Sequence, residues 1–278
     1  MTDSALTPTA FAAALARGEV VEPGAPITAT YRAQLARLII ELASARLTTG
    51  YLVASQLVHA PGLSVKTSLA QQVTDRVRQS HELFRLLDAL GVDAAEHVLA
   101  VDAHPPLATP TAVPFGDHSP AGTGVVRDGS WYPAAAAAFK IASFDDFAGY
   151  NSVVGCAQAT LVSELHNCSW GPLRRVARAI SREDLPHRAA SLRLLVDPTA
   201  RTTTPAAGGH LRAQQRLDRW FGEAMTWFAT CDATFASSCV ELRLRTRDVP
   251  GARRHFEQQL RELATTAELA VPAFITAQ

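Results

Sequence analysis

The stretch NCSWGPLRRVARAISREDLPHRAASL, from Asn167 to Leu192, decides the fold of this chain. It opens with an SWGP turn whose proline, Pro172, suits the first turn of a helix because its missing N–H costs nothing there. In the amphipathic run that follows, Asp184 and His187 are three residues apart and share one helix face. A carboxylate three residues before a histidine on a bundle helix is half of a carboxylate-bridged di-iron site.

Composition narrows the class of protein. The chain has 278 residues, 47% of them hydrophobic, and a formal net charge of zero. It therefore has enough apolar residues for a substantial core and no bulk charge that would attract nucleic acid or an anionic membrane. No apolar run reaches about 18 residues, and the N-terminus MTDSALTP lacks a basic region followed by an apolar stretch. We expect a cytoplasmic protein that binds neither nucleic acid nor membrane.

Apolar residues recur at helical spacing along most of the chain, with no strand pattern and no internal repeat. The pattern predicts an all-α bundle of long helices forming one domain, residues 1–278. Helices are expected from Pro26 to about Val58, from Ser64 to Leu90, from Phe144 to Asn167, from the SWGP turn to about Asp197, from His210 to about Arg245, and from Gly251 to Leu269.

Residues 104–133 differ from the rest of the chain. The segment HPPLATPTAVPFGDHSPAGTGVVRDGSWYP is rich in proline and glycine and has no helical period. A long irregular insertion in a compact domain is usually either functional or without fixed structure. Two interpretations stay open: a lid or partner-contacting loop, and a plain surface excursion.

Four segments together resemble one known family. They are YRAQLARLIIELASARLTTG, RQSHELFRLLDALG, NCSWGPLRRVARAISREDLPH and the C-terminal LRLRTRDVPGARRHFEQQLRELATTAELAVP. In this order they resemble the core helices of the catalytic and structural subunits of phenylacetyl-CoA epoxidase, a ferritin-like family. The resemblance implies a ferritin-like helical bundle.

The resemblance also implies a di-iron ligand set, and this chain departs from it. The carboxylate expected on the first helix falls on Arg46, the one three residues before His81 falls on Arg78, and the one on the third helix falls on Gly155. Only the fourth helix keeps its pair, Asp184 and His187. Because a guanidinium is always charged and cannot bind a cation, we expect no di-iron centre, no metal and no other cofactor.

Two hypotheses for function follow. In the first, the former metal cavity is a metal-free active site of bacterial specialised metabolism that binds a small anionic substrate. Asp184, His187 and His81 would perform acid–base chemistry, while arginines would stabilise a departing sulfate, phosphate or carboxylate during elimination or ring closure. The candidate substrate-binding residues are Arg46, Arg78, Tyr51, Tyr150, Asn151 and Gln158.

In the second hypothesis, the site has decayed into a salt-bridge network, and the chain is a non-catalytic structural subunit of an epoxidase-like multicomponent oxygenase. The partner would be a ferritin-like chain that carries iron, or a second copy of this chain. The two hypotheses differ in one structural property: an active site needs an open cavity that reaches Arg46 and Arg78, whereas a scaffold needs a filled, neutralised centre.

Overall fold

The computed structural model describes residues 7–95, 141–197 and 209–272, and the 104–133 insertion lies outside them. The described residues are helical, with one isolated bridge and no strand, which confirms the all-α ferritin-like fold. The helices are α1 (Pro8–Ala16), α2 (Ala29–Gln56), α3 (Leu63–Arg85), α4 (Phe144–Ser163), α5 (Gly171–Val196), α6 (Gly209–Thr230), α7 (Ala233–Glu241) and α8 (Val249–Thr266), with a short 3-10 turn at Asp88–Leu90.

Helices α2, α3, α4 and α5 surround the centre of the bundle. Helix α2 packs against α3, α4 against α5, and α3 against α5, while α6 and α8 pack on the outside of α4. Residues 147–162 of α4 are buried apart from one glycine, so this helix lies inside the molecule. The arrangement brings one face of each of the four helices into a shared interior.

The SWGP turn joins distant parts of the chain. Ser169 donates its N–H to the carbonyl of Arg243 at 2.7 Å, and its hydroxyl lies 2.9 Å from the hydroxyl of Tyr31 on α2. Val21 donates to the carbonyl of Ser169 and accepts from Gly171. Because these bonds come from three separate regions, the turn fixes where α5 starts relative to α2.

One close helix contact needs a glycine. A Cβ atom on Gly149 of α4 would lie 2.5 Å from the Trp220 ring and 3.0 Å from the Cβ of Arg216, both on α6. Any larger residue would force the two helices apart, since neither a ring nor a Cβ can give way easily. This contact holds α6 against the outer side of α4.

The single helix expected from His210 to Arg245 is wrong in one respect. The structure has two helices there, because Asp232 leaves the helical conformation and its side chain caps α7 by accepting the N–H of Phe235 at 2.9 Å. Aspartate is a strong helix N-cap, and its signal was hidden within a long apolar pattern. Among the residues described, no helix is long and apolar enough to cross a membrane.

Candidate functional site

The interior of the bundle holds a carboxylate between two arginines. Asp184 on α5 accepts hydrogen bonds on one oxygen, Oδ2, from Arg46 Nη1 of α2 at 2.7 Å and from Arg76 Nη1 of α3 at 3.0 Å. All three side chains are at least 96% buried. Gln79 accepts from the same Arg46 nitrogen at 3.3 Å. We call Arg46, Arg76, Gln79 and Asp184 the inner cluster.

His187 lies on the same buried face of α5, one turn beyond Asp184. Its Nε2 is 2.8 Å from Oδ2 of Asp75 on α3, and its backbone carbonyl accepts the hydroxyl of Ser191 at 2.8 Å. The imidazole is thus directed at a carboxylate of the neighbouring helix. The predicted common face of Asp184 and His187 is confirmed, while each contacts a different partner.

A second group of charges lies outside the inner cluster. Arg78 on α3 contacts Glu82 at 2.8 Å, Glu183 at 2.7 Å and Asp75 at 3.6 Å. The hydrogen bond to Glu183 is the largest of the causes that raise the pKa of Arg78, so this guanidinium stays charged. We call Arg78, Glu82, Glu183 and Asp75 the outer cluster.

Gln79 joins the two clusters. Its Nε2 is 3.0 Å from Glu183 and 3.5 Å from Asp184, while its Oε1 faces Arg46. Across both clusters, three arginines and His187 stand against four carboxylates. Every carboxylate in the network has a basic partner.

The prediction that Arg78 and His81 face the interior is wrong. His81 is exposed, and Arg78 lies at the partly exposed outer cluster. The inward pair is Arg76 and Gln79, two residues earlier on α3 and with the same spacing of three. A usable signal existed: Arg76 lies seven residues from both Leu69 and Leu83, which are buried, so all three fall on one stripe of the helix.

The polar residues predicted on α4 are brought inside, where each pairs with its neighbours. Asn151 exchanges two amide hydrogen bonds with Gln72 at 3.0 and 3.2 Å and donates to Ser191 at 2.8 Å. Gln158 donates to Thr49 at 2.9 Å. These contacts connect α4 to α2, α3 and α5 through buried hydrogen bonds.

The two predicted tyrosines differ in placement. Tyr150 is fully buried, and burial raises its pKa, while a hydrogen bond with Thr49 and the charge of Arg76 act in the opposite direction. Tyr51 is only partly buried and packs against the core. Tyr150 therefore belongs to the same interior region as the inner cluster.

The donor set does not fit the di-iron centre that a ferritin-like fold implies. Such a centre needs several free carboxylates and two imidazoles. Here Asp184 is bound by two guanidiniums, which cannot bind a cation, and His187 is directed at Asp75. Within the described ranges, no group of three or more His, Cys, Asp or Glu could hold a metal ion.

Fold and site together define a ferritin-like bundle with an ion-paired carboxylate at its centre. A model of the family described as phenylacetic acid catabolic protein matches residues 15–278. The chain belongs to this family, as its sequence segments predicted. Members are ferritin-like oxygenase components that act in multisubunit complexes. No curated protein matches the chain.

Proposed function

We propose that this protein is a non-catalytic, cytoplasmic structural subunit of a phenylacetyl-CoA epoxidase-like multicomponent oxygenase. One observation carries the proposal: Asp184 is held between Arg46 and Arg76 where an iron-binding relative would place metal ligands. The ferritin-like fold is kept, and the carboxylate at its centre, Asp184, is ion-paired to two arginines. A chain of this kind contributes surface and shape to a complex, while a partner contributes the metal.

The ion pairs explain how the fold persists without metal. A buried carboxylate is costly unless it is paired and hydrogen-bonded, and the same holds for a guanidinium. In this chain each charge is compensated by its partner, so the ion pairs bridge α2, α3 and α5. A ferrous ion would have to displace two guanidiniums from Asp184 and would then meet two positive charges.

The metal-free enzyme hypothesis requires an arrangement of residues that this chain has only in part. It needs Arg46 and Arg78 to face one cavity together with His81 and His187. Instead Arg46 contacts Asp184, Arg78 contacts three surface carboxylates, and His81 is exposed. Asp184 accepts hydrogen bonds from two arginines on Oδ2, so that oxygen is already engaged and is poorly placed to take a proton from a substrate.

Reconstitution tests the proposal. The chain is co-expressed with an iron-bearing family member from the same genome, and the complex is isolated through a tag on either chain. We expect a defined stoichiometry by sedimentation, iron only in the partner by elemental analysis, and epoxidase turnover that needs both chains. The isolated chain should hold well under one iron and should not turn over sulfate or phosphate esters.

Two results would contradict the proposal. Stoichiometric iron in the isolated chain would mean that the ion-paired centre opens to bind metal. Ester turnover by the isolated chain that disappears in Arg46→Met would restore the enzyme hypothesis. A matched variant, Arg219→Met, removes an exposed guanidinium on α6 that pairs with Asp146 and should leave both measurements unchanged.

A further inference from the structure

Gly155 has open space beside it among the described residues. It is the one residue between positions 147 and 162 of α4 that is not fully buried. A Cβ atom built on it would meet no described atom within 4 Å, whereas a Cβ on Gly149 of the same helix would clash. We call the space that the described residues leave beside Gly155 the cavity.

The cavity faces the four central helices. Asn151 and Gln158 lie four residues before and three residues after Gly155, so all three residues share one face of α4. Asn151 contacts α3 and α5, and Gln158 contacts α2. The face between them is therefore directed into the space that α2, α3 and α5 enclose, where the inner cluster lies.

Three buried polar atoms in this region have no hydrogen-bond partner among the described residues: Arg46 Nη2, Arg76 Nε and Gln158 Oε1. Thr49 lies close to all three residues. It is one turn from Arg46 on α2 and accepts a hydrogen bond from Gln158. It also hydrogen-bonds with the Tyr150 hydroxyl, which interacts electrostatically with Arg76. A buried donor without a partner is costly, so unmet donors on two arginines point to a bound group.

The charges in this region indicate which kind of chemical group would bind there. The buried inner cluster has two guanidiniums against one carboxylate, while the three carboxylates of the outer cluster, Asp75, Glu183 and Glu82, are 16%, 33% and 39% exposed. Positive charge is thus in excess inside, where it is not screened by water. An oxyanion would accept hydrogen bonds from Arg46 and Arg76, and a hydroxyl group on that anion would donate a hydrogen bond to Gln158.

We propose that the cavity beside Gly155 binds a small hydroxyl-bearing oxyanion of the hydrogencarbonate type between Arg46, Arg76 and Gln158. The anion completes the polar centre of the bundle and adds to its stability. Formate has the same charge and carboxylate geometry but no hydroxyl, so it should bind more weakly. The proposal does not depend on whether the chain is a structural subunit.

Thermal melts test the proposal with sodium hydrogencarbonate, with sodium chloride added to keep the ionic strength constant. Above its dissociation constant, each tenfold rise in hydrogencarbonate should raise the melting temperature by about 3 °C. Formate should give a smaller rise. No rise beyond that of chloride, or an equal rise with formate and nitrate, would overturn the proposal.

Two glycine variants locate the site. Gly155→Leu fills the cavity and should remove the response to hydrogencarbonate. Gly222→Leu is the matched control: it lies in α6, is exposed, and also has open space at its Cβ position, so its response should equal that of the parent. An unchanged response in Gly155→Leu would overturn the proposal.

Calorimetry covers the case in which Gly155→Leu does not fold. Hydrogencarbonate titrated into the unmodified protein should bind at one site per chain. Gly155→Ala, which adds only one methyl group in open space, should fold and bind with a dissociation constant raised at least threefold. Absence of saturable binding to the unmodified protein, or equal affinity in Gly155→Ala, would count against the site.

Discussion

Arg76 and Arg78 lie two residues apart on α3 and occupy opposite environments. The side chain of Arg76 is 4% exposed and makes one ion pair, with Asp184. The side chain of Arg78 is 41% exposed and makes three, with Asp75, Glu82 and Glu183. A count of ion pairs would rank Arg78 as the more important residue. Burial reverses that order, because water screens the pairs of Arg78 and not that of Arg76.

The comparison separates two functions of charge in this bundle. In the inner cluster each buried charge needs its partner, since removing one partner leaves the other uncompensated. The outer cluster lies where each of its members could be solvated instead. We therefore expect single substitutions to lower the free energy of unfolding markedly in the inner cluster and to change it little in the outer cluster.

Replacing Asp184 should have the largest effect. Asp184→Ala leaves two buried guanidiniums without a carboxylate, which we expect to lower the free energy of unfolding by about 3–5 kcal/mol. Urea titration followed by circular dichroism measures it. Glu82→Gln, which removes a carboxylate from the outer cluster, is the control. A loss as small as that of the control would mean that water reaches the inner cluster.

Replacing one inner arginine should cost less. Arg46→Met and Arg76→Met each leave Asp184 with one charged donor, so we expect a loss of about 1.5–3 kcal/mol, the range for hydrogen bonds to charged groups. The same urea titration measures both. Equal losses from Arg46→Met and Asp184→Ala would show that the two arginines act as one unit and not as separate donors.

Replacing the whole inner ion triad should restore stability. With Arg46→Met, Arg76→Met and Asp184→Leu combined, no buried charge is left unpaired, and apolar substitutes of similar size are often neutral or stabilising. We expect an unfolding free energy within about 1 kcal/mol of the parent or above it. A combined loss equal to the sum of the single losses would mean that the ion pairs themselves stabilise the fold.

Replacing Arg78 should have the smallest effect. Arg78→Met removes three contacts, all of them to partly exposed carboxylates, so we expect a change of less than about 1 kcal/mol. Raising the salt concentration should shrink it further, because these charges are screened. Melting curves at low and high salt check both statements. A larger loss, insensitive to salt, would place Arg78 among the residues that hold the helices together.

The sequence predicted the class of fold well because that information is local. Helical spacing, the SWGP turn and Pro172 indicated where helices begin, and α5 ends at Val196, next to the predicted Asp197. The common face of Asp184 and His187 follows from a spacing of three residues within one helix. The absence of a metal site stays a prediction, made because the resemblance puts arginine, which cannot bind a cation, at a ligand position.

The residues that contact Asp184 could not be predicted from local sequence features in the same way. On α3, Arg78 with His81 and Arg76 with Gln79 have the same spacing, so that spacing allows both, and only the stripe with buried Leu69 and Leu83 favours Arg76. Packing between helices agrees with the second pair: a Cβ atom built on Gly50 of α2 would lie 3.3 Å from the Cβ of Arg76, so the two helices are in close contact there. The sequence alone determined a helical bundle with a charged interior. Only the tertiary structure decided how the inner arginines pair with Asp184, because contacts between residues far apart in the chain set the rotation of each helix.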